Sequence, residues 1–144
     1  MDGREVFVCE NPNIVAIAAD RLGPLCAPLA CTDGMPAAAQ QTLLAQLAAC
    51  GATLRYHGDF DWPGLSIGNF VIREFGANPW RFGAAEYSSA CGSEGVELRA
   101  AEQVIARWDE RLTDLMLEKA AVVHEEAVVE TLLIDLLQTR PLCA

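Results

Sequence analysis

A chain of 144 residues that is 52% hydrophobic and 21% charged has the length and apolar content to build one core, which excludes a disordered polymer. No run approaches the ~20 apolar residues of a membrane span, and the N-terminus has neither the basic leader nor the long apolar stretch of a secretory signal, so a cytoplasmic protein without membrane attachment is expected. A formal net charge of −10, with the excess acidity mainly after residue 85, predicts that this domain alone binds nucleic acid weakly.

Glu5 to Cys9 is a short β-branched and aromatic run that reads as a buried strand. Asn11 and Pro12 follow as a helix cap and first helical residue, so a helix is predicted from about Pro12 to Leu22, stopping before Gly23-Pro24. Pro28 to Cys31 is a second strand and Thr32-Asp33-Gly34 a turn. Pro36 to Cys50 is an alanine-rich helix with Leu43, Leu44 and Leu47 inward, closed by Gly51.

Thr53 to His57 is the third strand, Gly58 to Gly64 a loop and Leu65 to Phe75 a third helix ending at Gly76. A last strand is predicted at Trp80 to Phe82, where Pro79 marks a sheet edge or a strand start. Residues 84 to 96, rich in Ser, Gly and Ala, read as a loop. Leu98, Ala101, Ile105, Trp108, Leu112 and Leu115 then recur at helical spacing, and a final helix from about Glu125 to Gln138 presents Val128, Val129, Leu132, Leu133, Leu136 and Leu137. Strands alternating with helices over such short connections predict one α/β domain over residues 1 to 144. It is an open parallel sheet of about four strands with helices on both faces and a helical C-terminal part.

The six cysteines show no Cys-x-x-Cys pair or zinc spacing and read as reduced, mostly buried thiols.

Side chains beyond the carboxyl ends of parallel strands converge on one crevice. Glu10 ends strand one, Asp59 and Asp61 follow strand three, and Asp33 after strand two lies on the same rim. Two carboxylates about 4 Å apart repel by on the order of 4 kcal/mol at an effective dielectric of about 20. Exposure to water, uptake of a proton or a divalent ion relieves that repulsion. Magnesium fits such a group, because it takes oxygen ligands and completes its octahedron with water and phosphate. The acids after strand three also argue against haloacid-dehalogenase-like phosphatases and response-regulator receivers, whose acidic pairs follow strand one.

Glu10 after the first strand with Asp59-x-Asp61 after the third resembles the Toprim pattern of topoisomerases, bacterial-type primases and several nucleases. The stretches Val8-Cys-Glu-Asn-Pro-Asn13 and Tyr56-His-Gly-Asp-Phe-Asp-Trp-Pro-Gly-Leu65 resemble the C-terminal domain of a bacterial family of unknown function. That domain is similar to the nuclease subunit JetD of Wadjet plasmid-defence systems and, more remotely, to the A subunit of type VI topoisomerases. The resemblance runs from about Val6 through Leu137. It implies that Glu10, Asp59 and Asp61 are metal-binding and catalytic residues, with Mg2+ or alternatively Mn2+ as cofactor and DNA as substrate. It also implies a longer architecture whose N-terminal domain or protein partner supplies the DNA grip missing here, with homodimerisation an option.

Neither Tyr56 nor Tyr87 is a persuasive nucleophile, so hydrolytic DNA cleavage is expected in preference to strand passage. The alternatives are a non-catalytic interaction module and a topoisomerase-like partner that borrows a tyrosine from another domain. Asp33, His57 and Glu125 are candidates for the surroundings of the cluster. His57 reads first as a structural histidine, His124 as a cap of the last helix, and Glu125 and Glu126 as acids favoured by that helix's dipole. Trp62 fixes the turn or stacks on a base. Arg55, Arg73 and Arg81 are surface charges or phosphate contacts.

Overall fold

Alternation along the first strand decides the layering. Val6 and Val8 of β1 (Glu5–Cys9) join one buried cluster, and Phe7 and Cys9 join another on the opposite face of the sheet. The computed structural model describes residues 2–92 and 97–138. After β1 come α1 (Pro12–Leu22), β2 (Leu29–Cys31), α2 (Ala38–Ala49), β3 (Thr53–Tyr56), α3 (Trp62–Phe75) and β4 (Asn78–Pro79). Then follow α4 (Ala84–Ala90), α5 (Glu110–Lys119) and α6 (Val129–Leu136), with short 3-10 turns at Gly23–Leu25, Ala100–Glu102 and Glu125–Val128.

The four strands are parallel in the order β2-β1-β3-β4, with Phe7 opposite Leu29 and Val8 opposite Tyr56. The chain leaves β1 toward β2 and returns on the other side as β3. The β1–β3 boundary is therefore the topological switch point, where a crevice opens beyond the carboxyl ends of the strands. One face carries α2, α3, α4 and α5 through Leu44, Leu65, Val71, Tyr87, Leu112 and Met116. The other carries α1 and α6 through Ile14, Ala18, Leu132 and Leu136, with Trp80 against Phe7 at 4.7 Å between ring centres. Full burial of each Leu, Ile, Val or Met among these side chains contributes about 1.5–3 kcal/mol.

Local signals set the element ends. The Asn11 side chain accepts from the Asn13 amide at 2.9 Å, Pro12 opens α1, and Gly76 closes α3 at φ 67°.

Several expectations from the sequence are corrected. Helix α3 starts at Trp62, not Leu65, because Asp61 caps it through the Gly64 amide at 2.7 Å. The last strand is Asn78–Pro79, not Trp80 to Phe82. Trp80 still donates its amide to Tyr56 O at 2.7 Å, but Arg81 turns to φ 47° and ends the extended run.

The predicted loop from residue 84 begins as helix α4. Asp109 and Glu86 accept the amides of Ala84 and Gly83, and the buried Tyr87 pins the helix. The rest of that expectation, Ser93 to Val96, lies outside the described residues. The stripe from Leu98 to Leu115 is not one helix. Asn69 donates its Nδ2–H to Ile105 O and accepts the Arg107 amide on Oδ1, which holds that stretch irregular, and helix forms only after Asp109 caps α5. The helix predicted from Glu125 opens as a 3-10 turn and is α-helical only from Val129. Leu43, Ile105 and Leu137 are exposed rather than inward, and among the described cysteines only Cys9 is fully buried. Cys143 lies outside the described residues.

Candidate functional site

The loop after β3 is held by a partner far along the chain. Phe60 and Val123 form an antiparallel bridge, with Phe60 N–H donating to Val123 O at 2.8 Å and Val123 N–H to Phe60 O at 3.2 Å. In such a pair the flanking residues 59 and 124 oppose each other, and side chains alternate between the two faces. Phe60 and Val123 point into the core at 1% and 5% exposure, which turns Asp59, Asp61 and His124 together to the outer face. One ligand atom from each of these three lies within 4.8 Å of the others.

Each carboxylate is oriented by a backbone amide. Asp59 Oδ1 accepts from Glu125 N–H at 2.7 Å, which leaves Oδ2 facing His124 Nδ1 at 3.5 Å. Asp61 Oδ1 accepts from Gly64 N–H at 2.7 Å, and burial pushes its carboxyl above the usual range. Glu10 arrives from β1, and its Oε1 accepts the Asp59 amide at 3.2 Å. It thus flanks the three converging donors. Burial, with the Asp59 charge added, raises the Glu10 carboxyl to about 8. Gly58 makes this approach possible, since a Cβ there would lie 2.8 Å from Tyr56 Oη and 3.0 Å from Glu10 Oε1. Among the described residues the buried Tyr56 Oη has no hydrogen-bond partner.

Glu125 ties the two strand ends together. It is wholly buried, and its Oε1 accepts from the amides of Glu10 at 3.0 Å and Asn11 at 2.6 Å. Its Oε2 meets His57 Nδ1 at 2.9 Å. Burial raises Glu125 to about 8 and lowers His57 to about 3, so both favour their neutral forms. A neutral pair is satisfied when Glu125 Oε2–H donates to His57 Nδ1. The other ring nitrogen then carries its hydrogen among Phe60, Trp80 and Phe82, whose centres lie 5.2–6.1 Å from the imidazole.

His57 is accordingly buried and hydrogen-bonded to Glu125 rather than open to the crevice. The helix dipole does not account for Glu125, which is held by two β1-end amides and a histidine. His124 makes no capping bond and faces Asp59 instead. Asp33 is exposed at φ 54°, outside the converging group.

Residues 1–136 match the family model described as "Protein of unknown function C-terminus (DUF2399)". The chain belongs to this family. Its description places the matched segment at the C-terminal end of its members. No curated protein matches the chain.

The arginines weighed as phosphate contacts offer little to a polyanion. Arg55 pairs with Glu5 at 2.9 Å, Arg73 with Glu74 at 3.0 Å and Arg81 with Asp135, so the three arginines considered as phosphate contacts are engaged by acids. Trp62 is buried and donates its indole N–H to Arg99 O at 2.8 Å, which removes it as a stacking platform. Tyr56 and Tyr87 are both fully buried. Among the described residues no helix is long and apolar enough to cross a membrane.

The donor set suits a divalent cation. Two amide-oriented carboxylates with one oxygen each left over provide the hard oxygens Mg2+ or Mn2+ take, and Arg55, Arg73 and Arg81 pair with other acids instead.

Proposed function

We propose that this DUF2399 domain holds a divalent cation at Asp59 and Asp61 and cleaves phosphodiester bonds of nucleic acid, most nearly DNA, in the manner of Toprim nucleases. The observation that supports this reading most is the convergence of Asp59 and Asp61 after β3, with Glu10 after β1 accepting the Asp59 amide beside them, at the switch point of the sheet. Asp59 and Asp61 would hold the ion, Mg2+ by resemblance and Mn2+ as the alternative. A bound ion supplies neutralisation of the charge that grows on phosphate oxygens.

The chain's own groups divide the remaining work. Glu125 fixes the Glu10 amide and the Asp59 carboxylate together, so the two strand ends keep their separation while substrate enters. Glu10 Oε1 is engaged by the Asp59 amide, which leaves Oε2 to exchange a proton with an attacking or leaving oxygen. Water is the attacking group, because both tyrosines are enclosed.

The net charge of −10 and the acid-paired arginines support a division of labour in which another domain, a protein partner or a second copy holds the DNA. The proposed setting is the cytoplasm, in a plasmid-defence or DNA-processing assembly. Cleavage of supercoiled plasmid by a protein that includes such DNA-holding parts tests the reading. Activity with Mg2+ or Mn2+ is expected to fall at least about 100-fold in Asp59→Asn and Asp61→Asn, since charge stabilisation is the largest catalytic contribution at such sites. Undiminished cutting by both variants rejects it.

The same acidity favours a second reading, a non-catalytic module that keeps the ion for assembly. It predicts divalent binding without cleavage in any partnered form.

A further inference from the structure

We propose that His124 is a third protein ligand of the divalent-ion site and that it makes the site prefer Mn2+ over Mg2+. The inference rests on the reading of Asp59 and Asp61 as ligands.

Backbone geometry, independent of the acids, sets the position of His124. The two-bond bridge between Phe60 and Val123 puts residue 124 directly across from residue 59, and burial of Phe60 and Val123 fixes which face the flanking side chains take. The Asp59 carboxylate is then prevented from turning away, because Glu125 N–H holds Oδ1 at 2.7 Å. The remaining Oδ2 meets His124 Nδ1 at 3.5 Å, too long for a good hydrogen bond and a normal separation for two donors on one cation. Asp61 completes the group within 4.8 Å.

Two carboxylate oxygens and one imidazole nitrogen are not a set that Mg2+ prefers, since Mg2+ takes oxygen and gives up its waters reluctantly. Imidazole binds transition-metal ions better, and Mn2+ accepts both carboxylate and nitrogen donors. The imidazole therefore contributes to Mn2+ binding and little to Mg2+ binding. His124 is 59% exposed and makes no capping bond, so its removal leaves the fold intact and isolates the ligand role.

Calorimetric titration of the intact chain with MnCl2 and MgCl2 in the same buffer measures the preference. Wild-type protein is expected to bind Mn2+ at least about tenfold more tightly than Mg2+, and His124→Ala to lose about tenfold for Mn2+ with less than about threefold change for Mg2+. Pulsed electron paramagnetic resonance of the Mn2+ complex should show nitrogen coupling in wild type and none in His124→Ala. Asp61→Asn, which keeps the helix cap, should weaken both ions. An unchanged Mn2+ to Mg2+ ratio and nitrogen signal in His124→Ala overturn the role of His124 while leaving the acidic site standing. Failure of wild type to take up either ion overturns the metal reading itself.

Discussion

Gly64 is where the acidic loop meets helix α3 most closely, and a Cβ there would lie 2.0 Å from Asp59 O. Backbone cannot yield as a flexible side chain does, so Gly64→Ala should destabilise the protein by on the order of 2 kcal/mol in urea unfolding. Retention of full stability would mean that the loop has room this close approach denies. Glu125 makes a sharper pair of variants. Glu125→Ala leaves two amides and His57 Nδ1 without partners and should cost about 3 kcal/mol. Glu125→Gln keeps an acceptor for the amides and offers an N–H to His57, and should cost less than about 1 kcal/mol by the same measurement. Equal losses in the two variants would contradict a neutral Glu125–His57 pair.

At the scale of elements, a single carboxylate organises the region that periodicity misread. Asp109 Oδ1 accepts the Arg111 amide at 3.2 Å as the cap of α5, and Oδ2 accepts the Ala84 amide at 3.0 Å at the start of α4. Asp109→Ala should therefore cost about 1–2 kcal/mol and raise amide exchange in both helices together. Loosening of α5 alone would show that the link to α4 carries no stability. The apolar stripe from Leu98 to Leu115 had the spacing of a helix. It lacked a start signal before Asp109, and Asn69, a residue of another helix, competes for the backbone at Ile105 and Arg107. Helix α4 was hidden for the converse reason, since its caps come from Glu86 and from the distant Asp109.

Across the whole molecule, α6 is fastened to the sheet edge through Asp135. This carboxylate accepts from Arg81 Nη2 at 3.0 Å and from Trp80 Nε1 at 2.8 Å. The Arg81 hydrogen bond holds its pKa below the ordinary 3.8. A depressed carboxylate stabilises the fold above its unfolded pKa and ceases to do so as pH falls through the folded value. The stability gap between wild type and Asp135→Asn should thus be constant from about pH 7 to pH 5 and close below about pH 4. A gap that persists in acid would assign the effect to packing. Divalent ions give the complementary test. At about 100 times its dissociation constant Mn2+ should raise stability by about 2.7 kcal/mol, and Asp59→Asn with Asp61→Asn should abolish the gain.

The amino-acid order was sufficient for the α/β class, the parallel sheet and the placement of Glu10, Asp59 and Asp61 beyond the ends of β1 and β3. Strand and helix periods, Asn-Pro and Gly boundaries and short connections are local properties, legible a few residues at a time. Tertiary structure alone decided that Glu125 is buried beneath the cluster and that His124 faces Asp59. Both depend on the Phe60–Val123 bridge and on contacts that span more than sixty residues, as in the Asp59–Glu125 hydrogen bond. A histidine before two glutamates looks like a helix start until another part of the chain pairs with it, and that pairing leaves no periodic trace.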